Sequence, residues 1–288
     1  MSEKASAAPL SERDRVALVK LLADEDPSAI QLLEESFRAR GSQSIPLLSD
    51  IVSGNEGNTR RNAEKILLAI QQDLAHETFL KFYANGADLE EGTFLLAKTR
   101  YPTFPESRYT TQLDAMAQKL EPVVVPDDPR FRIEAINRHL FGELRFHGNA
   151  DNYYDPDNSF INQVLDRRTG IPITLCAVYL FVAQRLRLPM AGVGMPGHFI
   201  VKWRKSPTTD DDDLFIDPFN RGRILTVADC ADFLKRSGHG FSPEMLATVN
   251  SRQILARMCN NLVAIYRQMD EMRLANEYEK YVGELLSR

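Results

Sequence analysis

Apolar positions in the first third of the chain recur every three to four residues, the period of a helix with one buried face. "SERDRVALVKLLA" begins behind Pro9 with Ser11 as its expected N-cap. "DPSAIQLLEESFRARG" has Asp26 as cap, Pro27 at the first helical position and Gly41 as stop. "SIPLLSDIVSG" and "TRRNAEKILLAIQQDLAHETFLKFYANG" continue the pattern, and breaks at Gly, Asn and Pro suggest an array of helical hairpins without a fixed-period repeat. "DLEEGTFLLAKTRYP" and "YTTQLDAMAQKL" add two helices, with Pro102 and Pro105 between them.

The pattern changes near residue 125, where "EPVVVPDDPR" carries three prolines and reads as a linker. "FRIEAINRHLFGE" is amphipathic, and "LRFHGNADNYYDPDNS" is a long polar loop of the kind that often carries function. "FINQVLDRRTG" reads as a short helix ended by Gly170. "IPITLCAVYLFVAQRLRL" is apolar almost all round, as a buried central helix would be. Two strands follow, "GHFIVKW" and "LFIDP", in which alternate residues share a face. The turn between them, "RKSPTTDDDD", is polar, and its run Asp210 to Asp213 reads as solvated. The last two helices, "SRQILARMCNNLVAIYRQMD" and "EMRLANEYEKYVGELLSR", form one helix-turn-helix pair of tetratricopeptide-like character, with Ala275 and Tyr278 on the second.

Composition narrows the function. The chain has 288 residues, 43% hydrophobic and 26% charged, enough for a sizeable core. A formal charge of -5 argues against a general nucleic-acid binder. No apolar run approaches the roughly 20 residues that span a bilayer, and the N-terminus lacks a secretory apolar stretch. Cys176, Cys230 and Cys259 are widely spaced, against a disulfide framework or a zinc site. A cytoplasmic protein with reduced thiols is expected, with no cofactor, no metal, no nucleic-acid or membrane partner, and another protein or peptide as partner.

The chemistry centres on "MPGHFIVKW". If the two strands pair about the polar turn, His198 lies opposite Asp217 and Trp203 opposite Asp212. Opposed residues of antiparallel strands project from one face, so a carboxylate could orient the imidazole. A one-residue slip would put Asp217 on the other face. Cys176, near the start of the apolar helix, could supply a nucleophile whose pKa the helix dipole and the imidazole lower. The plainer alternatives stand beside this: Cys176 as core, His198 as packing at a strand start, Asp217 as a turn residue before Pro218. Cys230 and Cys259 read as core. His147 enters the loop with Asp151 and Asp155, but no ligand spacing supports a metal there. Arg167 and Arg168 read as salt-bridge partners for "DNYYDPD".

The words "YYDPDNS", "DRRTGIPI" and "PGHF", with "FIDPFN" downstream, resemble the transglutaminase-like core of SirB-type bacterial proteins, which is also found in some eukaryotic F-box proteins. "LEEGTFLLAKTRYP" resembles the family's N-terminal portion and the final helical pair its tetratricopeptide-like tail, so the likeness covers roughly residues 85 to 288. The resemblance implies a papain-like fold with a Cys-His-Asp triad, in which the cysteine opens the buried helix and His198 and Asp217 fill the second and third places. Aligned without gaps, however, the cysteine's place falls on Pro172. Cys176 lies four residues on, one helical turn or about 5–6 Å deeper, and Thr174 faces another direction.

The expected fold is α+β and mainly helical: a papain- or transglutaminase-like core with a small antiparallel sheet packed on the buried helix. The expected division is a helical N-terminal domain to 125, a core over 126–240 and a helical pair over 241–288. The expected function is a non-catalytic interaction or regulatory protein on a degenerate fold. The alternative is a thiol peptidase or acyl transferase using Cys176, His198 and Asp217, with Asp155 and Asn158 of the polar loop as binding neighbours.

Overall fold

A computed structural model describes residues 12–82, 88–204 and 213–287. Contacts divide the chain into two compact units, one of residues 1–78 with 98–103 and one of 79–97 with 104–288. The expected division at 125 and 240 follows composition; the compact units part elsewhere, because helices upstream of the proline-rich linker pack with the residues downstream of it.

The first unit is built on α1 (Glu12–Leu22), α2 (Pro27–Arg40), α3 (Ile45–Gly54) and most of α4 (Gly57–Phe82). Their apolar stripes meet in a core of Leu18, Leu22, Phe37, Leu48, Ile51, Ala63, Ile66 and Ile70. The α2 boundaries are those the sequence predicts: the Asp26 carboxylate accepts from Ser28 N at 2.9 Å, and Gly41 ends the helix at φ 58°. Ser11, the expected α1 cap, lies outside the described residues.

The second unit adds α5 (Leu89–Lys98), α6 (Glu106–Leu120) and α7 (Pro129–Asn137), the last continued by a π-helical turn, Arg138–Glu143. The polar loop is not structureless. It contains strand β1 (His147–Gly148), which pairs in parallel with β2 (Thr169–Gly170), and a 3-10 turn, Pro156–Ser159. Between them α8 (Ile161–Arg167) ends on Arg168 at φ 56°, not on Gly170, which is drawn into the β1–β2 ladder. The apolar run forms α9 (Pro172–Arg185), buried over almost its whole length.

The sheet is larger than the two strands the alternation announces. β3 (Met190–Met195), β4 (His198–Trp203), β5 (Leu214–Asp217), β6 (Arg223–Leu225) and β7 (Thr248–Val249) form one antiparallel sheet in the order β6-β5-β4-β3-β7. One face, carrying Val193, Met195, Ile200, Phe215 and Leu225, packs on Cys230 and Leu234 of α10 (Val227–Arg236) and on Leu246. The other face, carrying Gly192, Gly194 and Phe199, is covered by α9 and by α11 (Ser251–Gln268). α12 (Met272–Leu286) pairs with α11 and buries Ala275 and Tyr278. The architecture is the expected mainly helical α+β core with a small antiparallel sheet. Among the described residues no helix is long and apolar enough to cross a membrane.

Candidate functional site

Pro196 and Gly197 make the two-residue turn that joins β3 to β4, with Gly197 at φ 73°, a left-handed value a Pro-Gly turn assigns to Gly. His198 follows as the first residue of β4, directly across from Met195. Arg257 of α11 holds this turn from the other face. Its Nη2 donates to Met195 O at 2.7 Å and His198 O at 2.8 Å, and its guanidinium lies over the Phe199 ring. Burial pushes the Arg257 pKa down. The helical pair at the end of the chain thus fixes the backbone from which the imidazole projects.

The β4–β5 register pairs Trp203 with Leu214 and Val201 with Ile216. Asp212, the expected partner of Trp203, lies outside the described residues, and this register is displaced by two residues from the one that sets His198 opposite Asp217. A displacement of two keeps every side chain on its face, because side chains alternate with a period of two. Asp217 consequently still shares a face with His198, diagonally, and His198 Nε2 lies 2.8 Å from Asp217 Oδ2.

Asp217 also accepts from Asn220 Nδ2 at 2.7 Å and from Asn220 N at 3.2 Å. Burial raises its pKa, but the bond and charge of His198, with both Asn220 donors, outweigh that and hold the carboxyl below its ordinary value. The turn bearing Asn220 is itself held from behind. Asn137 Nδ2 donates to Gly222 O at 2.6 Å, and Gly222, at φ 74°, packs so close to Asn137 that a Cβ would collide with it. An ionised carboxylate only accepts, so Asp217 takes a hydrogen bond from His198 Nε2–H, the tautomer that leaves the ring lone pair on Nδ1.

The imidazole is 8% exposed and bounded by aromatic rings, Phe233 of α10 at 5.2 Å and Phe219 edge-on at 6.2 Å. It lines a cleft of about 710 Å³ with Met195, Leu225 and Phe233 as apolar wall and Asp232, Lys235 and Arg236 among its charged lining. Phe219 in turn lies against Gly148 and edge-on to Tyr153 of the polar loop.

Cys176 lies elsewhere. It is fully buried on α9, and Sγ donates to Phe199 O at 3.4 Å. Phe199 points to the α9–α11 face of the sheet, while His198 points to the α10 face, so β4 itself stands between thiol and imidazole. The expected lowering of the thiol pKa is reversed: burial first, then the charge of Asp217, raise it well above its usual value, opposed only by Arg257. The helix dipole acts at an exposed end, and Cys176 sits a turn inside it. At that end stand Pro172 and Thr174. The Thr174 hydroxyl accepts from Ile171 N at 3.1 Å and donates to Asn158 O at 2.8 Å, a buried cap.

The loop residues expected beside the site are occupied within the loop. Asn158, fully buried, accepts from Asn149 Nδ2 and donates to the carbonyls of Asn152 and Tyr153. Asp155 caps the 3-10 turn and pairs with Arg167 at 2.7 Å. Arg167 is therefore the expected salt-bridge partner, but Arg168 instead reaches Leu144 O. The His147 ring nitrogens face Arg145 O and Thr169 Oγ1. Cys230 and Cys259 are core, as expected. The sequence reading missed Arg257, Phe233 and Asn137, which carry no motif; Asn220 stood within "FIDPFN", where the word itself was the signal.

Residues 107–260 match the family model described as the transglutaminase-like superfamily. A UPF0162 protein of Xylella fastidiosa (strain Temecula1) is 33% identical over 211 residues, covering 68% of this chain and 74% of that protein. A UPF0162 protein of Vibrio cholerae is 29% identical over 179 residues, covering 60% and 64%. F-box only protein 21 of Mus musculus is 37% identical over 137 residues, covering 46% of this chain but 21% of that longer protein. No solved structure matches.

Proposed function

Because this chain belongs to the transglutaminase-like superfamily, we propose that its His198–Asp217 cleft recognises a segment of another protein without acyl transfer. The observation that carries this reading is the position of Cys176: fully buried, hydrogen-bonded to Phe199 O, and across β4 from the imidazole. A thiol held protonated by burial is neither nucleophile nor proton donor to a base it cannot reach. Displacing it by a helical turn exceeds the tolerance of attack geometry. What remains is a half-apolar cleft with an oriented imidazole and an uneven charged rim, suited to hold a peptide side chain and its backbone. A core of this kind within the F-box protein is consistent with a module reused in larger assemblies. The SirB-type assignment and a tetratricopeptide-like role for α11 and α12 as a protein-binding pair belong to the same proposal, as does a cytoplasmic location.

The test is the alkylation rate of each cysteine against pH, read by mass spectrometry in native protein and in His198→Ala. Cys176 is expected to stay unmodified until denaturant unfolds the chain. Reaction of native Cys176 below the ordinary thiol pKa of about 8.5, slowed by His198→Ala, would instead establish the thiol enzyme.

A further inference from the structure

Arg138, Arg145, Arg168 and Arg221 lie in neighbouring segments of the second unit, and the last three have an unusual backbone. Arg145, Arg168 and Arg221 sit at φ 61°, 56° and 57°. That left-handed region is unfavourable for a side chain with a Cβ, and turns and helix ends ordinarily assign it to Gly or Asn. α8 ends on Arg168, and the turn behind Asp217 passes through Arg221 immediately before Gly222. Such backbone persists only where the surrounding structure holds it, and it clusters at functional sites; Arg187 and Asp270, elsewhere in the unit, share it.

Hydrogen bonds bring these residues together. Arg168 Nη1 donates to Leu144 O at 3.0 Å, next to Arg145 in the chain, and the Arg168 carbonyl accepts from His147 N at 3.0 Å. The Phe219 ring presses on Gly148 of β1, which brings the Arg221 turn to the β1–β2 ladder. The bond from Asn137 to Gly222 O sets Arg138 and Arg221, each the next-door residue, at the same edge. All four arginines are exposed, and among the described residues none has a carboxylate partner. Three neighbouring acids are engaged elsewhere, Glu143 with Lys119 and His139, Asp166 with Arg108 and Tyr109, and Asp155 with Arg167, while Glu134, one turn before Arg138, is exposed.

Guanidinium groups without a carboxylate partner offer planar forks that match carboxylates two bonds at a time, although Arg168 already spends Nη1 on Leu144 O. In a chain of net charge -5 this cationic edge runs against the overall balance, which repels a long polyanion more than a short acidic segment. We propose that the edge binds a carboxylate-rich segment of a partner polypeptide. None of the four arginines lines the His198 cleft, so the proposal stands apart from the reading of that cleft.

The test is fluorescence anisotropy with a labelled oligoglutamate peptide, a neutral peptide and a single-stranded oligonucleotide, at low and high salt. The wild type is expected to bind the oligoglutamate alone, more weakly as salt rises. Arg138→Gln with Arg221→Gly is expected to weaken binding about tenfold, and so is Arg138→Gln with Arg145→Gly. Neither glycine substitution should lower Tm, since glycine accepts the left-handed backbone. Failure of the wild type to bind oligoglutamate, tighter binding of the oligonucleotide, or binding by both double variants as tight as that of the wild type would overturn the proposal. A fall in Tm in both glycine variants, with affinity unchanged, would make these arginines structural and overturn it as well.

Discussion

Asp217 receives three hydrogen bonds, from His198 Nε2, Asn220 Nδ2 and Asn220 N, while it is 4% exposed. Its folded pKa is lowered, so it contributes stability that is fully present above the unfolded carboxyl pKa of about 3.9 and is lost as pH falls through the folded value. Asp217→Asn should therefore cost about 1–3 kcal/mol near neutrality, with a gap to wild type that closes below about pH 4, as urea denaturation across pH will show. Gly148 acts at one remove. A Cβ there would come within 2.5 Å of the Phe219 ring, which is packed edge-on to His198. Gly148→Ala should displace Phe219 and shift the His198 imidazole resonances in an NMR titration; unchanged resonances would separate Phe219 from the site. Of these residues the sequence disclosed His198 and Asp217, because strand alternation and the shared motif both act over a few residues. It did not disclose Gly148 or Asn137, whose partners are distant in the chain.

At the level of elements, α10 supplies the cleft wall. Thr226 caps it, accepting from Asp229 N at 3.2 Å while the Asp229 carboxylate accepts from Thr226 N at 2.9 Å. Thr226→Ala should cost about 1 kcal/mol, and amide exchange in the first turn of α10 should rise ahead of that in β4. The same scale explains why β3 escaped a reading by pattern. "MAGVGM" is poor in strand formers, yet Gly192 and Gly194 are required where they stand. A Cβ on Gly192 would come within 2.8 Å of the Phe199 ring, and one on Gly194 within 3.0 Å of the Arg257 guanidinium. Glycine here marks a close approach, a fact of packing. Gly170 misled in the opposite sense, since the helix ends two residues earlier on Arg168, whose backbone bonds to β1.

Over the second unit as a whole, Arg185 ties three helices together. From α9 it donates to both Glu90 oxygens on α5 and, at 2.6 Å, to Asp114 on α6. Hydrogen bonding to Glu90, more than burial opposes, raises its pKa further above the usual arginine value. Arg185→Ala would leave the largely buried Glu90 carboxylate without its partner, and should cost about 2–4 kcal/mol. Glu90→Gln paired with Arg185→Met should recover part of this loss, as a double-mutant cycle in denaturant will measure.

The sequence by itself determined the helices of both units, the buried α9 and the strand bearing His198. Each is written in local periodicity, in capping residues or in a short motif, and local interactions suffice to express it. Only the tertiary structure decided that Cys176 and His198 lie on opposite sides of β4 and that Arg257 holds the His198 turn. It alone set the β4–β5 register at two residues from the expected one and divided the units upstream of the proline-rich linker. Those outcomes depend on which faces meet across long stretches of chain, and side-chain pattern constrains the face of a residue but not the partner that covers it.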